Sequence, residues 1–317
     1  MKDNLTPARL ALISMVIGLL MIAALFAGCT QSTTSTTTPS AIATPAAEAT
    51  PAPTPAATTA TAVPTTVATT ATPAPTFTPS QSNVVAFTAA SLTGASKTIG
   101  PSFTAAYPGT TVSFDLDGTQ NLKAQVENGA YADVFISASN AYTNTLNTEG
   151  YFVPGTVKTL TTNYIIVILP ASNPANIQSL ADLAKPGVKI AMEAKNVPAG
   201  TATLAVLNNL ANDTYSQSWM NQTLANVVTY ETSEPAVATK VSLGEVDAGF
   251  VYQSTATAAP SGTYQSITIP RKDNYLQTYT IGILKESKNQ AQAGWFEQYM
   301  LSSAGQNILA QYGFTAP

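Results

Sequence analysis

The sequence predicts an α/β fold for residues 83–317, with helices packed against largely parallel sheets. Short apolar runs rich in Val, Ile and Phe alternate in this part of the chain with segments of helical character. Strands that alternate with helices are typical of layered α/β domains, because a parallel pair of strands needs a long crossover connection. Glycine and proline mark the points where most of the predicted elements end.

The first part of this region, up to residue 192, predicts five strands and four helices. The strands are expected at 84–88, 111–115, 132–137, 164–169 and 189–192. The helices are expected at 92–105, 121–128, 141–149 and 180–184. Gly100 and Pro101 predict a break in the first helix, because proline lacks the N–H that a helix interior uses. Gly129 and Gly150 close the second and third helices, and Pro170 stops the fourth strand.

The remaining residues continue the alternation and predict four more strands and four more helices. The strands are expected at 227–230, 248–252, 264–269 and 278–284. The helices are expected at 198–210, 235–243, 290–301 and 304–311. Pro198 fits the first turn of its helix, where the missing N–H costs nothing.

Residues 84–92 are the stretch around which we expect the fold to be organised. The run Val-Val-Ala-Phe leads through small residues to Ser91, and a helical segment follows. Serine is a preferred N-cap, because its oxygen accepts a hydrogen bond from a free N–H of the first turn. A strand that runs straight into a helix leaves such N–H groups at the end of the sheet, where the helix dipole favours anions. Ser91 is therefore a candidate anion ligand, and the alternative is that it only caps its helix.

Composition excludes several classes of function. The chain has 317 residues, no histidine, a single cysteine (Cys29) and a formal net charge of −4. Without histidine, Ser-His-Asp and Cys-His nucleophile systems cannot form, and zinc sites of Cys and His ligands are excluded too. The acidic balance argues against a nucleic-acid partner. Carboxylate chemistry and metal sites with oxygen ligands remain open.

Residues 1–29 are typical of an export signal. Basic residues flank an apolar segment at 10–27, and small residues lead to Cys29. The sequence before Cys29 resembles a lipobox, in which the cysteine is lipidated, although Phe26 stands where leucine is usual. The alternative is a retained membrane helix, because the apolar run is close to the roughly 20 residues that span a bilayer. Both interpretations put the rest of the chain outside the cell, tethered to the membrane.

Residues 30–82 predict a disordered tether. They consist almost entirely of Thr, Ala, Pro and Ser, and Glu48 is their only charged residue. Such a segment buries too little apolar surface to offset the entropy cost of ordering it. We therefore expect it to link the membrane to the globular part.

Six motifs follow one another in the globular part. They are Ala-Ala-Ser-Leu at 89–92, Gly-Thr-Gln-Asn-Leu at 118–122, Asn-Gly-Ala-Tyr-Ala-Asp-Val-Phe-Ile-Ser-Ala at 128–138, Val-Pro-Ala-Gly at 197–200, Gly-Glu-Val-Asp-Ala-Gly-Phe-Val-Tyr at 244–252 and Tyr-Gly-Phe at 312–314. In this order they resemble the molybdate- and tungstate-binding proteins of ABC importers, in their archaeal-type lipoprotein form. The resemblance covers essentially all of residues 83–317.

This resemblance implies a type II periplasmic-binding-protein fold. In that fold, two α/β lobes with mixed, mainly parallel sheets are joined by a hinge, and the ligand binds in the cleft between them. By the resemblance, the first lobe comprises residues 83–162 and 271–317, and the second comprises residues 163–270. The chain is expected to cross near Asn163 and again after Tyr252, and a hinge of this kind sequesters the ligand when it closes.

The resemblance also implies a set of binding residues. They are the hydroxyl and N–H of Ser91, the hydroxyl of Thr119, the N–H of Ala199, a helix-start N–H at or near Glu234, and the phenol O–H of Tyr252. Thr119 stands where the family usually has serine, and we expect it to cap a helix beginning near Asn121. The next family serine is replaced by Gln120, whose amide would either donate to the ligand or narrow the pocket.

Glu234 leaves two coordination modes open. A desolvated carboxylate facing a dianion is repulsive, so one expectation is that only the backbone of Ser233 or Glu234 is used. The other expectation, which resembles some archaeal-type members, is a carboxylate that binds the metal centre and expands it from tetrahedral toward octahedral. The second mode needs two carboxylates, and the Val-Pro-Ala-Gly loop contains none. The sequence therefore favours tetrahedral binding. Glu234 can also be a first-turn acid that complements the helix dipole.

The resulting prediction is a monomeric, non-enzymatic solute-binding protein that needs no cofactor. It would capture molybdate or tungstate at the outer face of the membrane and deliver the oxyanion to an importer permease. The alternatives are a protein for sulfate or phosphate, or a surface enzyme or adhesin on the same scaffold, because fold alone does not define function.

Overall fold

The computed structural model describes residues 82–317. The predicted export signal with Cys29, and all of the predicted tether except Ser82, lie outside the described residues. Ser82 is the first residue of a strand. Within residues 82–317, no helix has the length and apolar character needed to cross a membrane.

The strands of the described region, numbered in chain order, are β1 (Ser82–Ala89), β2 (Thr110–Asp117), β3 (Val134–Ser137), β4 (Lys158–Asn163), β5 (Ile165–Pro170), β6 (Ile190–Glu193), β7 (Val227–Glu231), β8 (Ala248–Tyr252), β9 (Tyr264–Thr268) and β10 (Gln277–Ile283). The helices are α1 (Thr93–Ala106), α2 (Thr119–Glu127), α3 (Asn140–Thr148), α4 (Pro198–Asp213), α5 (Gln217–Ala225), α6 (Glu234–Ser242), α7 (Gln253–Thr257), α8 (Gln290–Leu301) and α9 (Ser303–Gln311). Two 3₁₀ turns lie at Ala90–Leu92 and Leu180–Ala184.

The strands form two five-stranded sheets with related topologies. The first has the order β2-β1-β3-β10-β4 and the second the order β7-β6-β8-β5-β9. In each sheet one strand pairs in parallel on both sides: β1 with β2 and β3, and β6 with β7 and β8. Antiparallel pairing completes both sheets, through β10 in the first and β5 in the second. The predicted two-lobed α/β fold is therefore the one observed, and each sheet with its covering helices is called a lobe below.

Helices cover both faces of the second sheet. Along β5, Val167 belongs to the large core that includes α4, whereas Ile166 and Ile168 pack with Val237 of α6. This alternation follows from the strand geometry, in which successive side chains point to opposite faces. The apolar run at 165–169 is continuous because both faces of β5 are buried. In the first lobe, α1 and α8 contribute to the large core, and α2 and α3 contribute Leu122 and Leu146 to a separate cluster.

The chain passes between the sheets twice in the described region. It leaves β4 at Asn163 and enters β5 at Ile165, and it returns between the end of β9 and the start of β10. Asn274, in the returning segment, holds both polar backbone groups of Ile165: its Nδ2 donates to the carbonyl at 2.8 Å, and its Oδ1 accepts from the N–H at 3.1 Å. The two crossing segments are therefore hydrogen-bonded to each other, as expected for a paired hinge.

Several local predictions were wrong. Helix α1 continues through Pro101, because Ala95, Ile99 and Phe103 are buried on one side of it and this packing outweighs one missing hydrogen bond. Strand β4 was not predicted, since its sequence has a single apolar residue, Leu160, and its position depends on pairing with β10. The polar helix α5 and the short helix α7 were also not predicted.

Candidate functional site

Ser91 lies in the 3₁₀ turn between β1 and α1 and is buried. It does not cap α1, because the N-cap position is Leu92 and no side chain caps the helix. Its Oγ instead lies 2.7 Å from the phenol oxygen of Tyr279 on β10. Because these two hydroxyls share one hydrogen bond, one of their two hydrogens remains available to donate to another group.

Thr119 is buried at the first position of α2, directly after Gly118. The helix begins at Thr119 and not near Asn121, and no side chain caps it, so the predicted capping role is wrong. The Oγ1 of Thr119 accepts a hydrogen bond from the N–H of Ala138 at 3.1 Å. Its hydroxyl hydrogen is not used in that bond, so Thr119 retains a donor.

Gln120 connects the two lobes. Its Nε2 donates at 3.0 Å to the carbonyl oxygen of Thr232, which follows β7 in the second lobe. Its Oε1 is buried and has no hydrogen-bond partner among residues 82–317. The residue that departs from the family pattern therefore contacts the opposite lobe.

Ala199 occupies the first turn of α4, which begins at Pro198 as the sequence predicts. Gly200 brings this turn close to the end of β6. A Cβ atom at Gly200 would lie 2.0 Å from the carbonyl oxygen of Ala194 and 2.6 Å from that of Glu193, which only glycine avoids. The early N–H groups of a helix have no intrahelical partner, so this start can donate to a ligand.

Glu234 is the first residue of α6, and Ser233 is the N-cap, without a side-chain cap bond. The side chain of Glu234 is not a surface acid at a helix start, since the residue is only 5% exposed. Burial raises its pKa from the ordinary 4.5 to about 7, while its own backbone N–H opposes the shift.

Glu193, the last residue of β6, was not predicted as a site residue. It is 1% exposed and faces Glu234. Burial raises the pKa of Glu193 well above its ordinary value, and the charge of Glu234 raises it further. The second carboxylate was expected within Val-Pro-Ala-Gly, which contains none. Glu193 precedes that motif by four positions, and the close packing at Gly200 brings the strand end and the helix start together.

Tyr252 is fully buried at the end of β8. Its phenol O–H donates to Oε1 of Gln277 at 3.1 Å, so in this structure the predicted ligand donor is bonded within the protein. The rings of Tyr252 and Tyr279 meet edge to face, with their centroids 5.9 Å apart. Burial raises the pKa of both phenols well above the ordinary value, so both stay protonated donors near neutral pH.

Two cavities open beside these residues, and each is lined from both lobes. One, of about 230 Å³, is lined by Ser91 from the first lobe and Pro235 from the second, among others. The other, of about 270 Å³, includes Tyr142 from the first lobe and Pro198 from the second. Within residues 82–317, no group of three or more Cys, Asp or Glu side chains is arranged to hold a metal ion.

The family is shown by comparison with known proteins. The model of the family described as "Bacterial extracellular solute-binding protein" matches residues 84–315, which is nearly the whole described region. The chain belongs to this family. As a member of an extracellular solute-binding family, it is an extracytoplasmic binding protein, and its two lobes with a hydrogen-bonded double crossing are the architecture of such proteins.

Among curated relatives of this family, the molybdate-binding protein ModA of Mycobacterium tuberculosis H37Rv is 32% identical over 240 residues, covering 76% of this chain and 87% of the relative. The molybdate-binding protein ModA of Escherichia coli K12 is 26% identical over 245 residues, covering 74% and 90% of the two chains. The predicted resemblance to the molybdate-binding family is thereby confirmed.

Solved structures share the fold. The periplasmic molybdate-binding protein of Azotobacter vinelandii superposes with a TM-score of 0.64 at 22% identity, covering 74% of this chain and 99% of that one. The sulfate-binding protein SubI of Mycobacterium tuberculosis superposes with a TM-score of 0.65 at 18% identity, covering 74% and 86%. Because a molybdate-binding and a sulfate-binding protein share this scaffold, the fold does not choose the ligand.

Proposed function

We propose that this protein captures molybdate and tungstate outside the cytoplasm and delivers them to the permease of an ABC importer. The observation that carries the proposal is a group of uncharged donors where the two lobes meet. This group consists of the hydroxyls of Ser91 and Thr119 and the N–H groups at the starts of α2, α4 and α6. The curated relatives named as molybdate-binding proteins support the choice of ligand.

These donors suit a doubly charged oxyanion. A hydrogen bond to a charged group contributes roughly 1.5–3 kcal/mol, and a helix start contributes up to about 2 kcal/mol more. About six such bonds can give submicromolar affinity after the cost of closing the lobes, since 1 μM corresponds to about −8.2 kcal/mol. Oxyanions of different size, such as sulfate, would be distinguished by the size of the closed site.

The N-terminus supports delivery at the membrane. A lipid on Cys29 and the Thr-, Ala-, Pro- and Ser-rich tether after it would hold the binding lobes near the permease while allowing them to move. A lipidated protein would partition into detergent and carry the mass of the attached acyl chains. A protein that retains residues 1–28 would contradict the lipid anchor and leave the ligand assignment unaffected.

Titration calorimetry tests the ligand. The full chain, purified in a mild detergent, should bind molybdate and tungstate with submicromolar dissociation constants, and sulfate at least about a hundredfold more weakly, a difference of about 2.8 kcal/mol. Comparable affinities for sulfate and molybdate would reject the assignment in favour of a general oxyanion carrier.

A further inference from the structure

Glu193 and Glu234 form a pair of buried carboxyl groups at the predicted ligand site. Glu193 ends β6 and Glu234 begins α6, and α6 packs against β6 in the second lobe. Their exposed fractions are 1% and 5%. Tyr279, on β10 of the first lobe, is close enough for both charges to raise the pKa of its phenol. The pair therefore lies near the first lobe, which must move when the cleft opens.

No lysine or arginine side chain of the described region neutralises this pair. None of the lysines and arginines among residues 82–317 forms an ion pair with either carboxyl. Both carboxyl oxygens of Glu193 lack a hydrogen-bond partner in that region. The N–H groups of Ala199 and Gly200 approach Glu193 and lower its pKa, whereas the side chain of Glu234 approaches it and raises its pKa.

The surrounding elements supply few other charges. The titratable groups on the elements that pack around the pair are the phenols of Tyr252 and Tyr279, Tyr230 and Glu231 on β7, Asp213 at the far end of α4 and Lys240 on α6. Lys240 pairs with Glu231 and Glu245, at 3.7 and 3.3 Å, and not with the buried pair. The pair thus has only the helix starts to offset its charge.

Two ionised carboxylates in this position would repel each other and any dianion bound between the lobes. Removing like charges from water is costly, and the usual response is that one or both groups take up a proton. When the lobes are apart, water reaches the pair and lowers this cost. Closing the lobes over a dianion raises it, because the ligand adds negative charge while water is excluded.

We propose that Glu193 and Glu234 take up about one proton when the lobes close on the oxyanion, so that the dianion and the proton bind together. The proposal rests on the proposed function, because it names the ionic state of that same site. The protonated carboxyl group adds an O–H donor to a site whose other predicted donors are uncharged. Glu193 and Glu234 are therefore a specificity-determining pair that favours a fully deprotonated oxyanion, which can accept from the protonated carboxyl group.

The directions of the pKa shifts of both carboxyl groups agree with proton uptake. Both carboxyl groups have raised pKa values, and that of Glu234 is about 7. A group whose pKa rises on binding takes up a proton, so the affinity is highest at low pH and falls as the pH rises through and above the pKa. If the same carboxylates instead coordinated the metal centre octahedrally, the proton exchange would have the opposite sign. Both carboxyl groups would have to be ionised, so binding would release protons.

Calorimetry of the full chain with sodium molybdate measures directly how many protons are taken up on binding. At pH 7.5, titrations in HEPES and in Tris, which have different ionisation enthalpies, give the number of protons exchanged. We expect uptake of about one proton, and an affinity that weakens by up to about tenfold per pH unit between pH 7.5 and 8.5. Proton release, or no exchange, overturns the proposal.

Glutamine variants locate the proton. Glu193→Gln and Glu234→Gln keep the size and remove the charge, so each should reduce the uptake, and the double variant should bind molybdate without exchanging protons. Glu231→Gln, on β7 and outside the pair, is the matched control and should keep the wild-type uptake. Unchanged uptake in the double variant would overturn the assignment to this pair.

The outcomes separate this proposal from the proposed function. Molybdate binding without proton uptake would overturn the proton coupling and leave the ligand assignment standing. If the wild-type chain does not bind molybdate, both fail. The wild-type titrations need no substitution, so they decide the proton coupling even if a variant does not fold.

Discussion

The hydroxyl groups of Ser91 and Thr119 each retain hydrogen-bonding capacity that the protein does not use. Ser91 shares one hydrogen bond with Tyr279, and Thr119 only accepts, from the N–H of Ala138. Both residues are buried, so the unused hydrogen of Thr119, and that of the Ser91–Tyr279 pair, are costly unless a ligand accepts from them. At the scale of single residues, this unused capacity indicates a ligand more clearly than the residue types do.

Removing either hydroxyl should weaken ligand binding. Ser91→Ala and Thr119→Ala each delete a donor to the oxyanion, and we expect each to cost about 1–3 kcal/mol of molybdate affinity by titration calorimetry. Ser96→Ala is a matched control, because the hydroxyl of Ser96 donates to the carbonyl of Thr93 within α1. Wild-type affinity in both site variants would mean that the ligand binds elsewhere.

Helix starts are the elements that bring the donors together. Helices α2, α4 and α6 all begin beside the place where the two lobes meet, and α4 depends on a glycine to do so. At Gly200 any side chain would collide with the backbone of Glu193 and Ala194, which cannot rotate away. The same contact sets the distance between Glu193 and the first N–H groups of α4.

Gly200→Ala should therefore destabilise the protein. The added methyl group would displace the start of α4 from β6, and we expect the free energy of unfolding to fall by about 1–3 kcal/mol in a urea titration. Gly294→Ala is the contrasting control, because Gly294 lies inside α8 with its nearest neighbour 4.0 Å from the new Cβ. That change should stabilise the helix by up to about 1 kcal/mol. Equal stability of Gly200→Ala and wild type would show that the contact can relax.

At the scale of the whole molecule, direct contacts between the lobes define the closed arrangement. Gln120 donates to Thr232, and the phenol of Tyr142 on α3 donates to the carbonyl of Asn196, just before α4. Both bonds join the two lobes on the side of the predicted site. They lie beside the ligand donors, so closing the cleft and enclosing the ligand are one event.

Gly118→Ala should oppose closure of the two lobes. A Cβ at Gly118 would lie 2.6 Å from the carbonyl oxygen of Thr232 in the opposite lobe, and 2.4 Å from Nε2 of Gln120, whose side chain bonds to that carbonyl. The backbone of Gly118, with φ −56° and ψ 135°, is allowed for alanine, but alanine is a poorer N-cap for α2 than glycine, so the ligand-free protein should lose about 1 kcal/mol of stability. We expect molybdate affinity to fall by about tenfold or more, which corresponds to about 1.4 kcal/mol.

Small-angle scattering checks the mechanism of that change. The radius of gyration of the wild type should decrease when molybdate is added, and this decrease should be smaller in Gly118→Ala. Gly100→Ala is the control, since its new Cβ would have its nearest neighbour at 3.5 Å, an ordinary contact within the first lobe. A normal ligand-induced decrease in Gly118→Ala would show that the lobes close without the contact at Thr232.

The alternation of strands and helices, the α/β class and the order of the family motifs can all be read from the sequence. These depend on local patterns: apolar runs for β5 and β8, and the Pro-Ala-Gly start of α4, whose physical causes lie within a few residues. Where an element depends on a distant partner, local patterns fail. Strand β4 forms because β10 lies beside it, and α1 continues through Pro101 because its apolar side is buried.

Tertiary structure alone decided the ionic character of the site. Glu193 and Glu234 lie 41 positions apart in the sequence. Neither their positions in the chain nor their residue type shows that their carboxyl groups meet away from water. Likewise, Ser91 faces Tyr279 instead of capping its helix, because β10 returns to the first sheet from the far end of the chain. Charge states depend on burial and on neighbours in space, whereas sequence patterns report only neighbours along the chain.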